Sequence, residues 1–97
     1  MARVVLAPAL ARWLQAHPDG ESRSVTLEVP AGTVRDTLES VFRRYPILRG
    51  YILDERRGLR HHVVAYLDGE VVADKETLTG AVQPGSELHI FQALSGG

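Results

Sequence analysis

The sequence predicts an α+β roll in which a mixed sheet of four to five strands carries one main helix on one face. A stretch of alternating apolar and polar residues, 24–30, precedes the strongest helical pattern, 33–45. Three further strand patterns follow, two of them joined by the Asp68-Gly69 pair that favours a tight hairpin turn. Because one helix covers only one face of a sheet, the order strand, strand, helix, strand, strand, strand predicts this roll.

The segments before the helix predict two strands joined by a long connection. An apolar run over residues 3–7 predicts the opening strand, which Pro8 ends. Residues 9–16 predict a short helical turn, and residues 17–20, His-Pro-Asp-Gly, predict a turn of the backbone. In residues 24–30 the apolar side chains point one way and the polar ones the other, which predicts a half-buried second strand.

The predicted main helix has recognisable ends. Thr33 is a good N-cap and Asp36 lies at the capping-box position, although Asp replaces the preferred Glu. Tyr45-Pro46 ends the helix, because a residue before proline disfavours helical angles. The predicted buried face consists of apolar residues at helical spacing: Val34, Leu38, Val41, Phe42 and Tyr45.

The second half of the chain predicts the remaining strands. Residues 46–60 predict a short helix or turn followed by a polar loop, and residues 62–67 predict a strand. Residues 70–73 predict its short hairpin partner. Residues 74–82 predict one helical turn, because Leu78 and Val82 are four residues apart.

The last predicted strand spans residues 86–93 and places Phe91 on the face opposite Leu88 and Ile90. If the helix covers one face, one of these two sets is exposed. An exposed apolar patch on a sheet is a typical contact surface for a partner protein. The alternative is that Phe91 packs beneath the middle loop.

Composition limits the possible functions. The chain has 97 residues, 44% hydrophobic and 24% charged, which predicts one globular domain over residues 1–93 and a flexible tail over residues 94–97. Its formal net charge of −1 argues against nucleic-acid binding through a strong positive field. No apolar run reaches membrane-spanning length, so we expect no membrane partner and a cytoplasmic location.

The sequence ends in Gly96-Gly97. Neither residue has a Cβ, so this end can enter a slot that is too narrow for a residue with a side chain. We expect the Gly97 carboxylate, with Gly96, to be the site of chemistry performed by another enzyme. A terminus without a role is the alternative interpretation, since chain ends are commonly mobile.

Three stretches resemble one known family. VTLEVPAGTVRDTLESV is similar to its second strand and helix, VVAYLDGE to a later strand and turn, and TLTGAVQPGSELHIFQALSGG to its closing segment. In this order, and at these distances from the C-terminus, they resemble the ubiquitin-like sulfur carriers. That group contains the small subunit of molybdopterin synthase and the thiamine sulfur carrier.

The resemblance implies a β-grasp (ubiquitin-like) roll whose first and last strands lie parallel at the sheet centre. It implies that an ATP-dependent activating enzyme adenylates the carboxylate of Gly97, and that a sulfur donor enzyme converts the adenylate to a thiocarboxylate. A sulfur-accepting synthase is the third implied partner. The chain would then be a protein co-substrate, not an enzyme, and would bind no cofactor, because the activating partner uses the ATP.

We expect a docking region beside the terminus, formed by Phe91, Ala93, Leu94 and Ser95, with Leu94 as a candidate apolar anchor. The chain departs from the family pattern there. It has Gln92-Ala93 where members often have a pair of prolines, and Ser86 where many have an acidic residue. These departures affect partner identity more than the basic role. The long middle region is more similar to the carriers serving cysteine synthesis than to the short thiamine carriers.

Other residues give weaker signals. Adjacent His61 and His62 would point to opposite faces of a strand, so no metal site is predicted. Lys75, the only lysine, could accept a conjugate or simply be exposed. The sequence has no P-loop, nucleophile elbow or zinc-protease motif, and no Cys, so catalysis by the chain itself is not predicted.

Two alternatives to a sulfur carrier stay open at this point. One is a ubiquitin-like binding module that docks through its sheet without terminal chemistry. The other is a protein modifier that forms isopeptide bonds with lysines of target proteins.

Overall fold

The computed structural model describes residues 1–11 and 24–92. Its strands are β1 (Ala2–Leu6), β2 (Val25–Val29), β3 (Gly32–Thr33), β4 (Val63–Leu67), β5 (Glu70–Val71), β6 (Ala81–Val82) and β7 (Glu87–Gln92). Its helices are α1 (Pro8–Ala11), α2 (Val34–Arg44) and α3 (Ile47–Ile52). The remainder of the predicted helical turn at residues 9–16, and the predicted turn at 17–20, lie outside the described residues.

The main sheet has five strands in the order β2-β1-β7-β4-β5. The first and last strands, β1 and β7, are parallel neighbours, and Val4 lies opposite Leu88 while Leu6 lies opposite Ile90. The other neighbouring pairs are antiparallel. The last strand of the sequence is therefore the central strand of the sheet, which confirms the predicted β-grasp roll.

Helix α2 covers one face of this sheet, as predicted. Strand residues alternate along the chain, so every second side chain points towards the helix. The buried residues of the four long strands are Ala2, Val4, Leu6, Leu27, Val29, Val63, Ala65, Leu88 and Ile90. The buried apolar residues of α2 are Val34, Leu38, Val41 and Phe42. These two sets form one hydrophobic core.

The capping box of α2 forms as predicted. Asp36 N–H donates to Thr33 Oγ1 at 3.0 Å, and Thr33 N–H donates back to Asp36 Oδ2 at 3.0 Å. These hydrogen bonds from Thr33 lower the pKa of Asp36. The helix ends at Arg44, and Tyr45 N–H donates to Val41 O at 2.8 Å before Pro46 turns the chain.

An ion pair ties α3 to α2. Arg49 Nη1 and Nη2 donate to the two carboxylate oxygens of Glu39 at 2.8 and 2.6 Å, and this pairing lowers the pKa of Glu39. The Arg49 guanidinium also lies over the Phe42 ring, with its carbon 4.9 Å from the ring centroid. The bidentate geometry fixes the orientation of the short helix on the outer side of the core.

The helical turn predicted for residues 74–82 is wrong. Asp74 accepts hydrogen bonds from the backbone N–H groups of Glu76 and Thr77, at 3.2 and 2.9 Å, and from the Thr77 hydroxyl. A short polar side chain that binds the following backbone in this way favours a turn over a helix. Leu78 then adopts a positive φ of 56° while its side chain is fully buried.

The chain beyond this loop forms a strand that the sequence did not predict. β6 pairs antiparallel with β3 in a separate two-stranded sheet, with Gly32 opposite Val82. The loop carbonyls of Leu78 and Gly80 accept the first N–H groups of α2, from Arg35 and Val34 at 3.0 and 2.9 Å. The 74–80 loop therefore satisfies donors that a helix N-terminus leaves without intrahelical partners.

The hairpin turn between β4 and β5 has the predicted residues and geometry. Asp68 and Gly69 both have positive φ, 50° and 87°, as a type I′ turn requires. The Asp68 carboxylate accepts Glu87 N–H at 2.9 Å, and this hydrogen bond lowers the pKa of Asp68. The turn is thereby fixed to the start of β7.

We predict that Asp74→Asn lowers the midpoint of urea unfolding at pH 7. Hydrogen bonds led by those from Thr77 depress the pKa of Asp74 in the folded state, so its carboxylate stabilises the fold above the ordinary pKa of about 4. That contribution is lost as the pH falls towards the folded-state pKa. The difference in urea midpoint between wild type and Asp74→Asn should therefore become smaller when unfolding is repeated at about pH 3.

Glu70→Gln is the control for the Asp74 experiment. The Glu70 side chain is exposed on β5 and makes no hydrogen bond or ion pair within residues 1–11 and 24–92, so its replacement removes a charge alone. If the urea midpoints of wild type and Asp74→Asn differ by the same amount at both pH values, the assigned role of the Asp74 carboxylate is wrong.

Candidate functional site

The predicted site lies where β7 ends. Gln92, its last residue, pairs with Val63 of β4 on one side. On the other side, Ala7 N–H donates to Ile90 O at 3.0 Å just after β1. The predicted site residues beyond this point lie outside the described residues: Ala93, Leu94, Ser95, Gly96 and Gly97. The base from which they extend is thus held by strands on both sides.

The sheet face opposite α2, here called the free face, presents Phe91 to solvent. Phe91 is 42% exposed, whereas Leu88 and Ile90 are fully buried beneath the helix. This confirms that Phe91 lies on the opposite face from those two residues. The alternative of packing beneath the middle loop does not fit its exposure or its neighbours, which are side chains of the sheet itself.

Three rings form an aromatic cluster on the free face: Tyr66, His89 and Phe91. The Tyr66 and Phe91 rings meet edge to face, with centroids 5.8 Å apart and planes at 83°. The His89 ring lies nearly parallel to Phe91, with centroids 6.2 Å apart. Aromatic pairs of this geometry contribute about 0.5–1.5 kcal/mol beyond the area they bury, so the cluster orders its exposed rings.

The strand register extends this cluster into a wider apolar patch. Val64 lies opposite Phe91, and Val71 lies opposite Tyr66 at the edge of the sheet. Val71 is exposed. An apolar surface that a folded domain leaves in contact with water is characteristic of a protein contact site.

The other end of the free face is polar. Glu87, at the start of β7, accepts from Arg3 Nη2 at 2.9 Å and lies 3.1 Å from His89 Nε2. Both side chains of the Arg3–Glu87 pair are more than 40% exposed, so their interaction contributes little stability. Along β7 the face therefore changes from charged at the start to apolar beside Gln92, next to the predicted tail.

The remaining sequence signals lie near the base of the tail. His61 and His62 fall in a turn directly before β4, and no group of three metal-binding side chains occurs within residues 1–11 and 24–92. Lys75 Nζ donates to His61 O at 3.3 Å. Sequence reasoning missed this position of Lys75, because it depends on how the 74–80 loop folds back against β4.

A hollow of about 540 Å³ opens beside Lys75 and is lined in part by Arg56 and His61. Gly58 forms another part of its wall, where the backbone passes so close to Lys75 O that an added Cβ would lie 2.7 Å from this oxygen.

None of the helices among the described residues is long and apolar enough to cross a membrane.

The chain is similar to known proteins of one kind. The model of the ThiS family matches residues 13–97. The crystal structure of SAMP1 from Haloferax volcanii is 28% identical and covers 99% of this chain and 98% of its own, with a TM-score of 0.73. A chain of the Amycolatopsis orientalis BexX/CysO complex is 25% identical, covering 97% of this chain and 99% of its own, with a TM-score of 0.71.

Mycobacterium tuberculosis CysO is similar in fold, with a TM-score of 0.70, 17% identity and coverage of 94% of this chain and 99% of its own. No curated protein matches the chain. The family match nevertheless spans most of the sequence and includes every strand from β2 to β7. This chain belongs to the ThiS family of ubiquitin-like proteins.

Proposed function

We propose that this chain is a sulfur carrier whose terminal carboxylate, on Gly97, is adenylated by an ATP-dependent activating enzyme and then converted to a thiocarboxylate. The thiocarboxylate would donate its sulfur in cofactor or amino-acid biosynthesis. The observation that carries this proposal is the ThiS-family match, which runs through to Gly97. In this role the chain is a protein co-substrate.

The chemistry needs little from the body of the carrier. A carboxylate is a poor acyl donor, and transfer of AMP to one of its oxygens supplies a leaving group. A sulfide-level sulfur nucleophile from the sulfur donor enzyme then attacks the carbonyl carbon and forms a C–S bond. The C–O bond to AMP breaks and AMP leaves with the electron pair, so a nucleophilic thiocarboxylate stays attached to the protein. The two terminal glycines suit this sequence because they present the carbonyl without a side chain that would block attack.

The free face supplies the proposed contact with the activating enzyme. Phe91 is exposed and lies only two positions before Ala93, the first residue of the predicted contact segment. An enzyme that binds the tail therefore meets the aromatic cluster at the same time. Aromatic residues are enriched at the centres of protein interfaces, where they contribute a large share of the binding energy.

Partner binding by related proteins supports this part of the proposal. The Amycolatopsis orientalis relative comes from a complex of BexX with CysO. We propose an activating enzyme, a sulfur donor enzyme and a sulfur-accepting synthase as partners of this chain. These partners would supply the ATP binding and the catalytic groups.

A second candidate function is protein modification. The Haloferax volcanii relative is named a small archaeal modifier protein. A modifier would use the same activated carboxyl group but transfer it to lysines of other proteins. Branched peptides that join Gly97 to a foreign lysine would favour this second function, whereas a carrier yields none.

A binding module without terminal chemistry is the third candidate. It would retain its cellular role after deletion of Gly96 and Gly97, because its contacts would come from the free face alone. The carrier and the modifier both require the two glycines.

We predict that one alanine added after Gly97 abolishes ATP–pyrophosphate exchange by the activating enzyme. The added residue moves the carboxylate away from the position where the enzyme attacks it and places a Cβ on the terminal unit. Thermal unfolding should be unchanged, because the addition lies outside the folded core. Sulfur transfer that persists in the extended chain would contradict the proposed role of Gly97.

We predict that Phe91→Ala weakens binding to the activating enzyme by about 2 kcal/mol or more, near thirtyfold in Kd. Because Phe91 is half exposed, we expect the free energy of unfolding to fall by only about 1–2 kcal/mol. Titration calorimetry and urea unfolding measure the two effects separately.

Phe42→Ala is the matched control for Phe91→Ala, since Phe42 has the same side chain and belongs to the buried face of α2. Its removal should cost about 3–5 kcal/mol of stability. If Phe91→Ala destabilises the fold as strongly as Phe42→Ala, Phe91 belongs to the core and the docking role is wrong.

A further inference from the structure

We infer that Lys75 is an internal acceptor for the activated terminus, so that the chain can acylate its own body through an isopeptide bond between Gly97 and Lys75. This inference rests on the proposed activation of Gly97. It follows from three features of the described residues: the position of Lys75 beside the base of the tail, the rigidity of that position and the open hollow next to it.

The position of Lys75 follows from strand register. Its Nζ lies 3.3 Å from the carbonyl oxygen of His61, two residues before Val63. Val63 is the strand partner of Gln92, the last described residue. Since opposite residues in antiparallel strands have Cα atoms about 5 Å apart, and two residues of chain span at most about 7 Å, Lys75 Nζ lies within about 15 Å of Gln92 Cα.

The tail is long enough to reach this amine. Five residues follow Gln92 in the sequence, and five extended residues span at most about 17 Å. A connection of only five residues holds its end at an effective concentration in the millimolar range near a site that it can reach. An amine on another protein would have to be present at a similar concentration to compete equally.

The backbone of Lys75 is fixed in place. Leu59 N–H donates to Lys75 O at 2.7 Å, and the absence of a Cβ at Gly58 permits this close approach. On the other side, Asp74 holds the loop through the backbone N–H groups of Glu76 and Thr77. The amine is therefore presented from a rigid base, which lowers the entropy lost when it meets the carbonyl carbon.

The hollow beside Lys75 provides space for the incoming group. Its volume of about 540 Å³ lies within the range of small-molecule pockets. The Arg56 guanidinium on its wall makes no hydrogen bond within the described part of the chain. Asp54, also on the wall, uses Oδ1 to accept from the backbone N–H groups of Arg56 and Gly58 at 2.9 and 3.1 Å. Glu76 lies on the wall as well, so the hollow is mixed in charge, and its contribution to the reaction is open space beside the amine.

The reaction balances without a further reagent. The uncharged Nζ of Lys75 attacks the carbonyl carbon of Gly97 and forms a C–N bond. The C–O bond to AMP breaks, AMP leaves with the electron pair, and the nitrogen releases a proton to solvent. The product is lighter than the free acid by one water molecule and has no terminal carboxylate left to activate.

The test uses the full chain loaded chemically as a C-terminal thioester, prepared by intein cleavage with a small thiol. The thioester stands in for the adenylate: its C–S bond breaks and the thiol leaves. Because loading needs no activating enzyme, failure here is distinct from failure of the proposed function, which ATP–pyrophosphate exchange tests separately. Intact mass and peptide mapping follow conversion to the isopeptide or to the hydrolysed acid.

We expect a concentration-independent product in which Gly97 is joined to Lys75, formed about tenfold or more faster than any amide in Lys75→Arg. In Lys75→Arg, Arg preserves the positive charge but does not act as the acceptor. The preference for Lys75 should disappear in concentrated urea, because unfolding removes the β4–β7 pairing that holds the amine near the tail.

The matched control moves the only lysine to the far end of the sheet, in Arg3→Lys combined with Lys75→Arg. Arg3 lies opposite Glu87, five residues before Gln92 along β7. This lysine should not restore the fast reaction. Hydrolysis alone, a ring closed on the α-amino group of Met1, a concentration-dependent dimer or equal rates in wild type and Lys75→Arg would each overturn the inference.

Discussion

The structure depends on the parallel pairing of β1 with β7. The last strand of the sequence enters the centre of the sheet between β1 and β4, and its residues Leu88 and Ile90 are fully buried beneath α2. Parallel neighbours require a crossover connection, and α2 lies in that connection, where it covers the face it crosses. The chain therefore reaches Gln92 along the central strand, bonded on the β1 side up to Ile90 and paired with Val63 of β4 at Gln92, and any tail chemistry starts from this fixed strand.

The two faces of the sheet have different roles. The face under α2 contains the hydrophobic core and sets stability, whereas the free face keeps the aromatic cluster of Tyr66, His89 and Phe91 in contact with water. The apolar end of the free face lies beside the base of the tail, and the charged Arg3–Glu87 end lies away from it. In the proposed carrier, recognition by a partner is thus placed next to the group that reacts.

Much of the fold and part of the site followed from sequence, because they depend on local patterns. An apolar run assigned β1, and alternation assigned β2 and β7. Thr33 and Asp36 marked the start of α2, and the alternation of Phe91 with Leu88 and Ile90 placed Phe91 on the free face. The β3–β6 pair did not follow, since strands of two residues have no detectable period and the four-residue spacing of Leu78 and Val82 resembles a helix. The position of Lys75 depends on a loop that Asp74 holds and on a backbone hydrogen bond with Leu59, a residue distant from Lys75 in sequence. The terminal segment itself lies outside the described residues.

The most direct test of the account is the mass of the C-terminal peptide after the chain is incubated with its activating enzyme, ATP and a sulfur donor enzyme. If the chain is a sulfur carrier, one oxygen of the Gly97 carboxyl group is replaced by sulfur, and a sulfur-accepting synthase restores the oxygen. A peptide that keeps both oxygens, while the enzyme consumes ATP in the presence of the chain, would contradict it.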